Sequence, residues 1–184
     1  MLKILLILFI LNFYNPVFSS TKENLISQIQ ITNTLSFDFI QTIDDKNQNG
    51  KCVIKYPKRI WCEYSGFNKK IIVSDGESLV IKTIETGGYY RYPLSKTPLI
   101  FLLDKEYLIS KLNILKPRKI DNKYLNFTFF ENNNEINIFF DKKNLNLVGW
   151  QTEDVYQNLV ITFISSVKRN IKINNKIFIL PKIN

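Results

Sequence analysis

Residues 51–64 read KCVIKYPKRIWCEY, and this stretch predicts two antiparallel β-strands joined by a tight turn at Pro57. Side chains alternate between the two faces of a strand, so every second residue on either side of the turn points the same way. One face is formed by Cys52, Ile54, Tyr56, Ile60, Cys62 and Tyr64. Because Pro57 lies five residues from each cysteine, the fold-back places the two cysteines nearly opposite each other.

The same alternation recurs on both sides of this hairpin and predicts a long antiparallel meander of about eleven strands. Asp75-Gly76 is a strong hairpin signal, and residues 132–134, three asparagines, mark a polar turn. The strands are expected at residues 36–43, 51–56, 60–64, 70–74, 78–84, 89–93, 123–130, 135–140, 145–153, 159–167 and 176–180. We therefore predict a single, mainly β domain.

The composition favours strands and excludes several kinds of chemistry. The chain has 184 residues, 45% of them hydrophobic, with 14 Phe and 9 Tyr but no Ala, the best helix former. It also has no His, which excludes Ser-His-Asp and Cys-His nucleophiles as well as histidine-ligated zinc or haem. No enzyme, cofactor or metal is expected. A secreted glycosidase is the alternative, although the carboxylates show only turn or strand-edge spacing: Asp44, Asp45, Glu63, Asp75, Glu153 and Asp154.

Two segments break the strand pattern. Thr21 to Asn33 predicts a short amphipathic helix, capped by Thr21 and burying Leu25, Ile26 and Ile29. Residues 94–104, LSKTPLIFLLD, predict a short and very hydrophobic helix that Thr97 caps. This second helix either closes the end of a barrel or covers a cavity that binds a hydrophobic ligand.

The first nineteen residues have the pattern of a cleaved secretory signal peptide. A positive charge at Lys3 precedes an apolar run, and small residues end the segment at Ser19, so the mature chain is expected to span residues 20–184. A membrane anchor is the alternative. No Cys lies near the cleavage point, so lipid attachment there is not expected. Export favours a Cys52–Cys62 disulfide over a pair of buried free thiols.

The chain is basic, with a formal net charge of +9. Its Lys and Arg residues are scattered over strand ends and turns, which indicates a solvated surface with a weak attraction to anionic membranes. Nucleic acid is not an expected partner.

Several motifs together resemble the LolA family of periplasmic lipoprotein carriers, over nearly the whole mature chain. The motifs, in chain order, are Phe37-x-Phe39-x-Gln41, Gly50 with Tyr56-Pro57, Ile60-x-Cys62-x-Tyr64, Ile72-Val73-Ser74-Asp75-Gly76 with Leu79, Pro93-Leu94 with Thr97-Pro98-Leu99, Phe140-Asp141, Leu145 to Trp150, Phe178 and Pro181. The resemblance implies an incompletely closed antiparallel β-barrel with a helical lid over a hydrophobic cavity. It also implies that this cavity holds the acyl chains of lipoproteins between the inner and outer membranes.

The resemblance further implies a binding site and a set of partners. Acyl chains would contact Leu25, Ile29, Phe37, Phe39, Ile54, Tyr56, Ile60, Tyr64, Leu79, Leu99, Phe101, Leu102, Leu103, Phe127, Phe129 and Ile138. The partners would be acylated lipoproteins, an inner-membrane ABC transporter that releases them, and an outer-membrane acceptor. The protein would be a monomer in the periplasm of a Gram-negative bacterium. An envelope lipid-binding or lipid-sensing module of the same shape is the alternative.

One residue departs from the family pattern. Many members have an Arg directly before the proline that corresponds to Pro57, and this Arg bonds the closed lid. Tyr56 occupies that position here. A phenol can donate one hydrogen bond to a lid carbonyl but lacks the charge and fork of a guanidinium group.

Overall fold

The computed structural model describes residues 20–66, 69–131, 134–154 and 157–183. The expected signal peptide and the first two asparagines of the expected polar turn lie outside these ranges. The helices are α1 (Thr21–Ile31), α2 (Ile100–Leu103) and α3 (Lys105–Ile114). The strands are β1 (Thr34–Ile43), β2 (Lys46–Lys55), β3 (Arg59–Tyr64), β4 (Lys70–Ser74), β5 (Ser78–Thr83), β6 (Tyr89–Pro93), β7 (Arg118–Ile120), β8 (Tyr124–Glu131), β9 (Asn134–Asp141), β10 (Leu147–Glu153) and β11 (Leu159–Arg169). Two 3₁₀ turns span Leu94–Lys96 and Asn175–Phe178.

The strands form one eleven-stranded antiparallel sheet in the order β6-β5-β4-β3-β2-β1-β11-β10-β9-β8-β7. The first and last strands in sequence, β1 and β11, pair in the middle, while β6 and β7 are the two unpaired edges of the described sheet. The barrel is therefore open, and the predicted fold class is confirmed. The apolar residues of both halves meet on the concave face in one core cluster.

The β2–β3 hairpin has the register that the sequence predicts. Cys52 lies opposite Cys62, and Ile54 lies opposite Ile60. Gly50 faces Tyr64 across the pair, and the Tyr64 ring packs on Phe39 with ring centroids 4.8 Å apart. A Cβ atom on Gly50 would lie 2.9 Å from the Phe39 ring, so only glycine leaves room for this aromatic pair.

Two strand predictions were wrong. Residues 176–180 form no strand, because Asn174 caps a 3₁₀ turn with its side-chain oxygen, which accepts from the Lys176 amide at 3.0 Å. This C-terminal segment packs instead on the outside of β3 and β4, where Phe178 is buried beneath the Arg59 guanidinium. The short edge strand β7 was missed, since Arg118-Lys119-Ile120 shows no alternation.

The helix boundaries also differ from the prediction. Ser20, not Thr21, caps α1, and together with Glu23 it forms a capping box. Thr97 is not a helix cap, because its hydroxyl donates to the Leu94 carbonyl at 2.8 Å. The apolar run makes only the single turn of α2. Asp104 then caps a second helix, α3, which the sequence analysis did not separate from it.

Candidate functional site

The concave face of the sheet is covered by α1 and by residues 94–115, which we call the lid segment. The lid segment inserts three consecutive buried side chains into the core, those of Phe101, Leu102 and Leu103. Phe101 meets Phe129 of β8 edge to face, with ring centroids 6.1 Å apart. This very hydrophobic segment therefore faces the sheet rather than solvent.

The structure brings all sixteen predicted site residues together in or against this one cluster. Fourteen of them are buried, while Tyr56 and Leu99 are half-buried at its border. Their role in binding acyl chains stays a prediction. The predicted binding site did not include these further members of the cluster: Leu35, Ile72, Leu94, Leu108, Leu112, Leu125, Ile136, Phe140, Leu147, Trp150 and Ile164. The i, i+4 spacing of Leu108 and Leu112 is the signal that identifies the buried face of α3.

The interior is filled by the protein's own side chains. A pocket between α1, Tyr56 and the β9–β10 turn offers about 40 Å³, enough for a few water molecules. A second pocket of about 170 Å³ lies between the lid segment and the far ends of β8 and β9. Both are smaller than the roughly 300–1,000 Å³ of typical small-molecule sites. The hydrophobic cavity that the resemblance implies is thus occupied by the lid in this closed state.

A group of three charged residues, which we call the clasp, ties the lid segment to the β2–β3 turn and to α1. The backbone amide of Lys58 donates to the Leu103 carbonyl at 2.9 Å, and the Lys58 ammonium lies 3.1 Å from an Asp104 carboxylate oxygen. The Lys105 ammonium donates to the Gln30 and Thr32 carbonyls at 2.9 and 3.1 Å. The clasp therefore consists of Lys58, Asp104 and Lys105.

Tyr56 takes little part in this clasp. Within the described ranges its hydroxyl has no hydrogen-bond partner, while its ring lies 5.6 Å from the Lys105 ammonium in a cation–π contact. Burial raises the pKa of Tyr56, so the phenol stays neutral. The hydrogen bond and the ion pair between the turn and the lid come from Lys58, two residues further along the chain, rather than from the position that the family pattern implies.

A second polar contact holds the opposite side of the lid segment. The Tyr107 hydroxyl donates to the Glu131 carboxylate at the end of β8, and the Lys111 ammonium lies 3.2 Å from the same carboxylate. These two donors hold the pKa of Glu131 below its ordinary value. The lid is therefore fastened by charged contacts at its two sides and by apolar contacts between them.

The apolar face carries few polar groups. The Tyr64 hydroxyl donates to the Gln41 side-chain oxygen at 3.2 Å, and the Gln41 amide donates to Thr162 at 3.2 Å. Burial raises the pKa of Tyr64.

Asp75, one of the scattered carboxylates, accepts hydrogen bonds from the backbone amides of its own turn. Across the described ranges no cluster of three or more His, Cys, Asp or Glu residues could hold a metal ion.

The predicted disulfide is confirmed. Cys52 and Cys62 are bonded across β2 and β3, with their Cα atoms 4.1 Å apart, and both are buried in the concave cluster. The bond joins the two strands next to the turn that carries Lys58.

The helices of the described part are all too short or too polar to cross a membrane.

Comparisons with known proteins identify a matching family and solved structures with similar folds. The family model described as outer membrane lipoprotein carrier protein LolA matches residues 30–180. A LolA-superfamily protein of Nitrosomonas europaea is 10% identical, with a TM-score of 0.46, and the match covers 87% of this chain and 98% of that one. A lipoprotein-sorting protein domain of Vibrio parahaemolyticus is 8% identical, with a TM-score of 0.44 and coverages of 87% and 97%.

MucB of Pseudomonas aeruginosa has a related fold. A crystal structure of MucB is 7% identical to this chain, with a TM-score of 0.50, and the match covers 88% of this chain and 62% of that one. No curated protein sequence matches the chain. At these identities the solved structures bear on the fold alone, whereas the family model matches most of the sequence. The chain belongs to the LolA family of outer membrane lipoprotein carrier proteins.

Proposed function

We propose that this protein is a periplasmic carrier that takes up the acyl chains of lipoproteins released from the inner membrane and delivers them to the outer membrane. The observation that supports this most is the concave apolar face, whose cover is a lid held by exposed charged contacts at its sides. A chain with several acyl groups cannot cross water unaided, since each buried CH₂ contributes about 0.8 kcal/mol. The carrier must therefore offer an apolar surface of comparable size.

The filled interior is compatible with this role because lid side chains and acyl chains are both apolar. When acyl chains take the place of Phe101, Leu102 and Leu103 against the sheet, one apolar contact replaces another, and the free energy of the sheet surface changes little. The remaining costs are the loss of the polar contacts and the exposure of the displaced lid side chains, which the bound acyl chains must cover in turn. Partly exposed ion pairs such as Lys58–Asp104 contribute only about 0.2–1 kcal/mol. Lid opening by a ligand is thus energetically accessible, and so is release.

Under this proposal the protein is a monomeric, non-enzymatic carrier that follows a cleaved signal peptide to the periplasm. It would receive its cargo from an inner-membrane ABC transporter and pass it to an outer-membrane acceptor. No step requires a cofactor or metal, because loading and unloading are exchanges of apolar surface.

The test is purification of the exported protein followed by mass spectrometry of the molecules bound to it. Acylated proteins should co-purify, and addition of membranes that contain the outer-membrane acceptor should release them. Recovery of bare phospholipid instead would favour an envelope lipid-binding or lipid-sensing module. Recovery of the protein with neither ligand would contradict both functions.

A further inference from the structure

The half of the sheet formed by β7 to β11 has ends of opposite charge. Antiparallel strands bring the β7–β8 turn, the β9–β10 turn and the last residues of β11 to the same end of the sheet. We call this the basic end; its basic residues are Lys119, Lys123, Lys142, Lys143, Lys168 and Arg169, and its acidic residues are Asp121 and Asp141. The other end of β8 to β11 carries Glu131, Glu135, Glu153 and Asp154, and no Lys or Arg among its described strand and turn residues. Arg118 begins the short strand β7 opposite Asn126, and Glu131 is paired with Lys111 of α3.

An apolar groove adjoins the basic end on the convex face of the sheet. Gly149 of β10 pairs with Phe139 on one side and with Phe163 on the other, so a gap without a side chain separates two phenyl rings. The groove has a volume of about 240 Å³, and its other apolar side chains on the convex face are Ile120, Tyr124, Val148 and Ile161. The Phe163 side chain is 58% exposed, and Ile40 beside it on β1 is 53% exposed.

The other half of the convex face is partly covered. There Val73 and Val80 are almost fully buried although they point away from the concave cluster. The C-terminal segment lies over that half, held by the Lys55 ammonium on the Asn175 side chain at 2.6 Å. The described residues provide no comparable cover over the groove, which leaves aromatic and aliphatic side chains in water beside a cluster of cations.

We propose that the basic end and the adjoining groove dock this protein on an anionic lipid bilayer. Charge complementarity favours an anionic bilayer as the partner. The cations come from three chain segments and together face many headgroup charges at once. The exposed Phe163 and the half-buried Tyr124 can enter the interfacial layer while neighbouring lysines extend their ammonium groups to the headgroups. The acidic end then points away from the membrane. This docking does not depend on lipoprotein carriage, so either proposal can fail without the other.

Flotation of the mature protein with phosphatidylcholine vesicles, prepared with and without phosphatidylglycerol, tests the proposal. We expect binding only to the anionic vesicles, and release at high salt because ions screen the attraction. The double variant Lys119→Gln/Lys143→Gln removes two charges and should weaken binding about 30-fold, since each basic residue near the surface contributes about fivefold. The matched control, Lys46→Gln/Lys69→Gln, removes two charges at the opposite end and should bind as the wild type does.

A second pair of variants tests the apolar groove. Phe163→Ser should weaken vesicle binding about tenfold through lost apolar contact. Leu159→Ser, on the same strand and face but at the acidic end, is 54% exposed and should leave binding unchanged. Urea unfolding verifies that each variant is folded.

Three results would overturn the proposal. The first is the absence of binding of the wild type to anionic vesicles, and the second is an equal loss of binding in both members of either pair. The third is self-association of the wild type in sedimentation that the Phe163→Ser variant no longer shows. This result would assign the groove to contacts between copies of the chain.

Discussion

Removal of the Phe101 ring should open the lid without unfolding the sheet. Phe101 is 1% exposed, and its ring packs on Phe129. Truncation of a buried Phe to Ala costs about 3–5 kcal/mol. If the lid segment opens as a local unit, this loss falls on lid closure, because the strands keep their hydrogen bonds and their disulfide. Lid amides should then exchange hydrogen faster by up to about 10² to 4 × 10³ times, at 1.4 kcal/mol per factor of ten.

The matched control is Phe127→Ala. Phe127 is fully buried, lies on β8 and packs edge to face on Phe140, with centroids 6.1 Å apart, so the same chemical change falls on the sheet. We expect this variant to lower the free energy of global unfolding by about 3–5 kcal/mol and to weaken protection throughout the molecule.

Native-state hydrogen exchange, followed by mass spectrometry, compares peptides from the lid segment with peptides from β1 and β11. Preferential exchange of the lid peptides in Phe101→Ala, with an unchanged urea midpoint, supports a separable lid. Uniform loss of protection and an equal drop in the free energy of unfolding in both variants would refute the reasoning and make Phe101 part of the structural core.

Four further predictions concern the clasp, the turn, the disulfide and the second contact. Lys58→Gln breaks the ion pair with the lid and should speed uptake of a fluorescent acylated peptide by up to about fivefold in stopped-flow mixing. Tyr56→Phe should leave cargo affinity nearly unchanged, because the hydroxyl bonds nothing in the described structure, whereas Tyr56→Arg should slow release of labelled lipoprotein to acceptor membranes; equal release rates would exclude a latch at this position. Thiol titration of denatured, unreduced protein should find no free thiol, and reduction of Cys52–Cys62 should lower the free energy of unfolding by about 2–3 kcal/mol. Because the folded pKa of Glu131 is depressed, its contribution to closure is present above the ordinary carboxyl pKa of 4.5 and is lost as the pH falls through the lower folded value. Lid protection relative to the sheet should therefore fall with acid, and Glu131→Gln should remove that dependence.

The sequence by itself determined the parts of this protein that depend on local pattern. Alternation about Pro57 predicted the register that places Cys52 opposite Cys62, and Asp75-Gly76 predicted the β4–β5 hairpin. The ten predicted site residues of the sheet and its β2–β3 turn lie in one cluster or against it, because side-chain alternation assigns each apolar strand residue to a face before any tertiary contact is known. The other six lie on α1 or in the lid segment, where alternation does not apply.

The apolar run near the C-terminus could not be placed in this way. Ile177 and Ile179 flank Phe178 in a pattern that suits a strand, but a strand also needs a free partner. The strands β3 and β4 already have neighbours on both sides, so the segment crosses their outer face in a 3₁₀ turn. Availability of an edge is a property of the assembled sheet.

Only the tertiary structure decided how the lid is held and what fills the interior. The contact of Lys58 with Asp104 joins residues far apart in sequence, and no local pattern encodes their approach. The same apolar residues suit an open cavity and a closed, filled one, because burial against the lid and burial against acyl chains remove the same surface from water. Their composition therefore specifies an apolar interior, while the packing of Phe101, Leu102 and Leu103 determines that in this structure the lid fills it.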